Sequence, residues 1–349
     1  MNAVHSISRQ SGDRFVAAQA QRQVQTFFDE LKNGTQNYRT IASLDAQIAQ
    51  AYRGRCILEL LQNAHDALEQ APSDDLRQIS FLLRTMPRPV LLIGNSGVPF
   101  RHEDFIGLCQ LGQSPKDPNQ SVGNKGLGFR SVLEVATSPE IWSTAPTGSQ
   151  TSFVFRFDPS VSGQVAAAAE QLEQTGLAAR SPFDPTRPLL DWSAEQLSQY
   201  RDCMTDARRD GPREAREYLS PYLIPLPIQE TPEEVDALWE QGHVTVVRLP
   251  LDGGGAATPA DALQSVRDQL DALDAQAAVF LPHAERLVIE IDGEQRILER
   301  LVDAEVEVPT HPRSRRERLL VGHPGMEQRL VSRLEVPADH LRALVMKIT

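Results

Sequence analysis

Cysteine is scarce in this chain: Cys56, Cys109 and Cys203 are the three in 349 residues, and none has the spacing of a metal pair. That excludes a disulfide scaffold and a cysteine-based zinc site, and leaves reduced structural thiols. Lysine is almost as rare, occurring only as Lys32, Lys116, Lys125 and Lys347, and 47 acidic side chains against 35 basic ones give a net charge of -12. Wholesale binding along a phosphate backbone needs a basic surface, so nucleic acid is not indicated as a partner. The short run Arg313-Ser314-Arg315-Arg316-Glu317-Arg318 reads as a solvated loop. Also missing are an apolar run long enough to span a bilayer and a charged-then-apolar leader, so a cytoplasmic protein without a membrane partner is expected.

What is present is a composition of 40% hydrophobic and 23% charged residues, that of a globular chain long enough for two domains. The most informative stretch is Arg55-Cys-Ile-Leu-Glu-Leu-Leu-Gln-Asn-Ala-His-Asp-Ala67. Glu59, Asn63 and Asp66 follow one another at spacings of four and three, which places them on one narrow stripe of a helix. Ile57, Leu58, Leu60, Leu61, Ala64, Ala67 and Leu68 fill most of the remaining circumference, so the helix should be buried on nearly every side. A polar stripe on such a helix should line a cavity. His65 lies off the stripe and reads as a packing or surface histidine.

Two glycine-bearing segments come next, Ile93-Gly94-Asn95-Ser96-Gly97-Val98-Pro99-Phe100 and Gly123-Asn124-Lys125-Gly126-Leu127-Gly128-Phe129-Arg130-Ser131, and later Thr245-Val246-Val247-Arg248-Leu249 reads as a strand. A Glu-x3-Asn-x2-Asp helix, a strand ending in Asn-Ser-Gly, a G-x-x-G-x-G entering a helix and a late strand threonine resemble, in that order, the GHKL ATPases. The phrase Gly-Asn-Lys-Gly-Leu-Gly-Phe-Arg-Ser-Val is most similar to the sacsin-type branch, near the heat-shock chaperones of the ninety-kilodalton class.

The resemblance covers roughly residues 10 to 290 and implies an α+β fold, the Bergerat-type sandwich, with helices on one face of a mixed, mainly antiparallel sheet. It implies ATP and Mg²⁺ as ligands. Glu59 would be the general base, Asn63 the Mg²⁺ ligand, and Asp66, Asn95 and Thr245 the nucleotide side of the pocket. Gly97 would leave room for the base; Gly123, Gly126, Leu127, Gly128 and Phe129 would belong to the phosphate loop. Lys125 could add a charge to the phosphates or face solvent. Most of the superfamily has Asp where Asn95 stands; an Asn amide can both accept from and donate to adenine, but base selectivity is less certain.

Along the chain, residues 1–12 read as a flexible N-terminus and 13–255 as the nucleotide-binding domain, with 158–240 a mostly helical insertion. The helix over 13–32 could pack on its own domain or exchange as a strap with a partner. Gly112 to Val122 has the composition of a lid. Asp252-Gly253-Gly254-Gly255 marks a domain boundary, with 256–349 the start of a second, transducer-like α/β domain. Its last residues, Leu344 to Thr349, suggest that the architecture continues elsewhere, in a downstream effector domain or a partner protein. The function implied by the resemblance is slow Mg²⁺-dependent ATP hydrolysis. It would drive opening and closing of a nucleotide-bound homodimer in a chaperone-like, prokaryotic defence or DNA-processing assembly. The alternative is a nucleotide sensor or interaction module that binds without turnover.

Overall fold

The structure is a computed structural model. It describes residues 3–72, 77–109, 128–144, 151–206, 210–254, 258–274, 277, 281–307, 315–322 and 329–335. The chain is an α+β sandwich built on one sheet. Its helices are α1 (Ala3–Asn33), α2 (Asn37–Ala51), α3 (Cys56–Glu69), α4 (His102–Leu108), α5 (Ser160–Thr175), α6 (Ala194–Asp206), α7 (Gly211–Tyr218), α8 (Glu233–Glu240) and α9 (Pro259–Asp271). The strands are β1 (Gln78–Arg84), β2 (Val90–Asn95), β3 (Glu140–Ser143), β4 (Phe153–Arg156), β5 (Leu226–Pro227), β6 (Thr245–Pro250), β7 (Arg286–Ile291), β8 (Glu294–Glu307), β9 (Arg315–Gly322) and β10 (Arg329–Glu335).

These ten strands lie in the order β10-β9-β8-β7-β1-β2-β6-β3-β4-β5. The β1–β7 pair is parallel and the other described pairs are antiparallel. The β7–β8 turn has positive φ at both Asp292 and Gly293, the conformation that suits a two-residue hairpin.

Strand alternation divides the sheet into two faces. Ile79, Phe81 and Leu83 of β1, Leu91 and Ile93 of β2, Ile141 of β3, Phe153 and Phe155 of β4 and Leu249 of β6 join α3, α4 and α9 in the main core. Leu82, Leu92, Trp142, Val154 and Val246 point the other way and meet Val235 and Leu238 of α8. Helix α8 therefore covers part of the second face too, whereas the resemblance implies helices on one.

A second cluster joins α1 to the insertion. Val24, Phe27, Phe28 and Leu31 pack with Val165, Ala169, Leu172 and Tyr200. The 158–240 segment is mostly helical as expected, yet its core is completed by the N-terminal helix of the same chain. That helix begins at Ala3, well inside the stretch expected to be flexible, because its N-terminal turns are held from outside. The Arg9 guanidinium donates to the Ile228 and Gln229 carbonyls and to Thr231 Oγ1, each at 3.0 Å.

The expected boundary at Asp252-Gly253-Gly254-Gly255 is not a break in packing. Thr137 N–H donates to Asp252 Oδ1 at 2.8 Å, and a Cβ on Gly254 would lie 2.0 Å from the Leu133 carbonyl oxygen. Gly254 lacks a side chain where the chain presses against the Leu133 backbone. Beyond them, Ala262, Val266 and Leu270 of α9 and Leu287 and Ile289 of β7 belong to the main core. The C-terminal stretch from Leu344, and Arg313 and Ser314, lie outside the described residues; Arg315 to Arg318, expected as part of a solvated loop, instead begin strand β9, where they pair with β8.

Candidate functional site

Helix α3 presents its stripe to a cavity whose walls include Glu59, Asn63, Asp66 and Gln70. Its floor is formed by Ile93, Asn95, Thr245 and Val247 of the sheet, and it is closed at the sides by Val98, Phe100, Asp104, Gly128 and Phe129. The stripe geometry read from the sequence is thus realised. Of the apolar residues expected to bury the helix, Ile57, Leu60, Leu61, Ala64 and Leu68 are buried, Ala67 is half-buried against the cavity, and Leu58 is 50% exposed. His65 is buried at 7% exposure and accepts a hydrogen bond at Nε2 from the His283 amide at 3.3 Å, a packing role.

The sheet supplies the floor through register. Asn95 pairs with Thr245, and Thr245 in turn with Ser143, so three polar residues stand side by side on β2, β6 and β3. All three point to the α3 face, by the same alternation that buries Ile93, Val247 and Ile141 there. Asn95 Oδ1 accepts from the Gly97 amide at 3.1 Å, which holds the turn after β2. Gly97 has a structural reason that the sequence did not show. A Cβ there would come within 2.5 Å of the Ala67 carbonyl, while Val98 N–H donates to that same carbonyl at 3.1 Å.

Glu59 carries a perturbed pKa. Burial raises it above its ordinary value, opposed by the nearby positive charge of Arg55. Its Oε2 lies where the space beside Gly128 is needed, since a Cβ on Gly128 would stand 2.1 Å away. Gly128 thereby serves the carboxyl group of Glu59 directly. Where the G-x-x-G-x-G was expected to enter a helix, Gly128–Glu134 is a 3₁₀ helix. Asp66 is 5% exposed and lies along the cavity wall beside His65, with Oδ1 3.9 Å from His65 Nδ1.

Gly123, Lys125, Gly126 and Leu127 lie outside the described residues, as do Lys116 and the Gly112–Val122 loop. The structure brings together Glu59, Asn63, Asp66, Asn95, Gly128, Phe129 and Thr245, and sets Gly97 behind them as packing. Sequence reasoning missed Ser143 and Asp104. Ser143 could have been found from the alternation of Ile141, Trp142 and Ser143 once β3 was placed beside β6. Asp104, whose Oδ2 accepts from the Arg101 amide at 2.9 Å, reads from sequence only as a helix cap.

Fold and site together define an α+β sandwich with an acidic, amide-bearing pocket between one helix and the sheet. No family model matches the chain. One stretch of 110 residues is 36% identical to Protein NO VEIN of Arabidopsis thaliana, covering 31% of this chain and 4% of that protein. The chain thus spans a small fraction of the length of the curated relative it matches. Among the described residues no helix is long and apolar enough to cross a membrane.

Proposed function

We propose that the chain binds ATP with Mg²⁺ in this pocket and hydrolyses it slowly, as a GHKL-type ATPase. The observation that carries the reading is the half-buried Glu59 with its raised pKa, on the same cavity wall as Asn63 and Asp66 and above a floor of Asn95 and Thr245. A carboxylate that holds its proton more tightly than usual is a better acceptor for a proton from water, which suits the general-base role. Mg²⁺ keeps several waters and takes much of its coordination from phosphates, so one protein oxygen is enough. The Asn63 side-chain carbonyl, on the cavity wall, would be that oxygen. When bound, the ion would neutralise phosphate charge; Glu59 would orient and deprotonate the attacking water.

In this reading, nucleotide binding biases a two-state closure of a homodimer within a larger assembly of the chaperone-like, defence or DNA-processing kind. The test compares the parent chain with Glu59→Ala for nucleotide binding, phosphate release and sedimentation, each with Mg²⁺ and with chelator. Binding by both proteins, with release by the parent alone and only with Mg²⁺, is expected. Binding without release in either would favour the non-hydrolysing sensor, and absence of binding in the folded parent would defeat the proposal. A parent that stays monomeric with nucleotide would remove the dimer part alone.

A further inference from the structure

Ser143 stands directly behind Thr245, 1% exposed, and outside the set of residues that line the cavity. Its hydroxyl makes two contacts among the described residues. The Phe100 amide donates to Ser143 Oγ at 2.8 Å, and Ser143 Oγ lies 2.8 Å from Thr245 Oγ1. Either hydroxyl could donate across this contact, and pairing decides between them. A serine hydroxyl has one hydrogen, and among the described residues Thr245 Oγ1 is the acceptor within its reach. With Thr245 as donor the buried Ser143 hydrogen would be left unpaired, so the fully paired arrangement has Ser143 accepting from Phe100 and donating to Thr245. Thr245, 2% exposed and on the cavity floor, is left to direct its own hydrogen away from Ser143, toward the cavity.

The floor thus offers a hydroxyl of fixed polarity beside the Asn95 amide. A fixed donor distinguishes bases that a freely rotating hydroxyl would not. In adenine the ring nitrogen beside the amino group is a hydrogen-bond acceptor. In hypoxanthine the same nitrogen carries a hydrogen and its neighbour is a carbonyl. A buried donor facing another donor leaves both unpaired, and sites built on such matching reject the wrong partner strongly.

Resting on the nucleotide reading above, we infer that Ser143 is a specificity-determining positioning residue: by holding the Thr245 hydroxyl as a donor, it selects a 6-aminopurine over a 6-oxopurine. Phe100 completes the relay through its backbone. The turn after β2, which places Asn95, is thereby tied to the same hydroxyl chain that orients Thr245.

The test measures Mg²⁺-dependent binding of ATP and ITP to the full chain, to Ser143→Ala, to Thr245→Val and to the double variant, each checked for folding by thermal melting. The parent should favour ATP by about tenfold or more, and Ser143→Ala should narrow the preference to about threefold or less. Thr245→Val should narrow it alike, with no further change in the double variant, since the two hydroxyls act as one unit. A merely structural role for Ser143 would weaken both nucleotides together and leave the ratio intact. An unchanged ratio in Ser143→Ala, or equal binding of ATP and ITP by the parent, overturns this inference and leaves the ATP site standing. Failure of the folded parent to bind either nucleotide overturns both. Should Ser143→Ala not hold its fold, the ratio in Thr245→Val decides alone.

Discussion

At Glu59, stability and chemistry pull in opposite directions. Burial raises its pKa above the ordinary value of 4.5, so the folded chain holds the proton more tightly than the unfolded chain does. The associated stabilisation is fully present below about pH 4.5 and is lost as pH rises through the folded-state value. At neutral pH the charged carboxylate works against folding. Glu59→Gln should therefore melt higher than the parent at neutral pH, with the difference vanishing in acid, while phosphate release is lost. Melting curves of both proteins from acid to neutral pH check this, and a lower melting temperature for the variant at neutral pH would contradict it. The stripe of Glu59, Asn63 and Asp66 was legible in the sequence because helical spacing is a local property. The purpose of Gly128 was not, because the atom that excludes a Cβ there belongs to Glu59, far away in the chain. Gly97 was legible as a glycine requirement, but the α3 backbone that a Cβ there would strike was not.

Between elements, the 3₁₀ helix at the end of the glycine loop is tied to α2 and to the end of the insertion by one buried cation. Arg130 is 4% exposed, with Nη1 3.2 Å from Asp45 Oδ1 and its guanidinium carbon 5.8 Å from the Tyr222 ring centroid. Ser220 donates its hydroxyl to Asp45 Oδ2. Burial lowers the Arg130 pKa, and the Asp45 charge opposes that shift. Two guanidinium nitrogens nonetheless lack a hydrogen-bond partner among the described residues. Removing Asp45 alone strands a buried charge, so Asp45→Ala should cost about 3–5 kcal/mol. Asp45→Ala combined with Arg130→Met should recover most of the loss. Urea titrations of the single and double variants measure it, and a double variant no more stable than the single would refute a stranded charge as the cause. None of this could be read from sequence. Arg130 appeared only as the residue after Gly-Phe, and Asp45 as one polar position in a helix. Helix α3, the strand β2 that ends at Asn95, the helical character of 158–240 and the Thr245 strand β6 were legible in the sequence. The two-residue β5 and the short α7 and α8 carry too few turns or alternations to show above the noise of their surroundings.

Across the whole molecule, the glycine run that looked like a linker is a close contact, and the helix and strands beyond it complete the core. The Ile57 amide at the start of α3 donates to Gln269 Oε1 of α9 at 3.1 Å, and β7 lies parallel against β1 from Gln78↔Arg286 to Leu83↔Ile291. A chain ended at residue 255 would leave α3 without α9 and β1 without one neighbour. That fragment should fail to melt cooperatively and should bind no nucleotide, whereas the full chain should melt in one transition. A cooperative, nucleotide-binding 1–255 fragment, seen by calorimetry and titration, would restore the boundary inferred from the glycines. Asp-Gly-Gly-Gly signals backbone freedom, and such freedom serves a tight approach, as at Gly254, as well as a loose tether. The β1–β7 pairing also sets an order of events during synthesis. The ribosome releases α3, β1, β2 and β3 long before β7 exists, at roughly 5–20 residues per second. For that interval the strand next to the pocket floor has an open, apolar flank. The nascent chain must wait many seconds for its own closing strand, and its yield in the cell should depend on what shields that flank in the meantime.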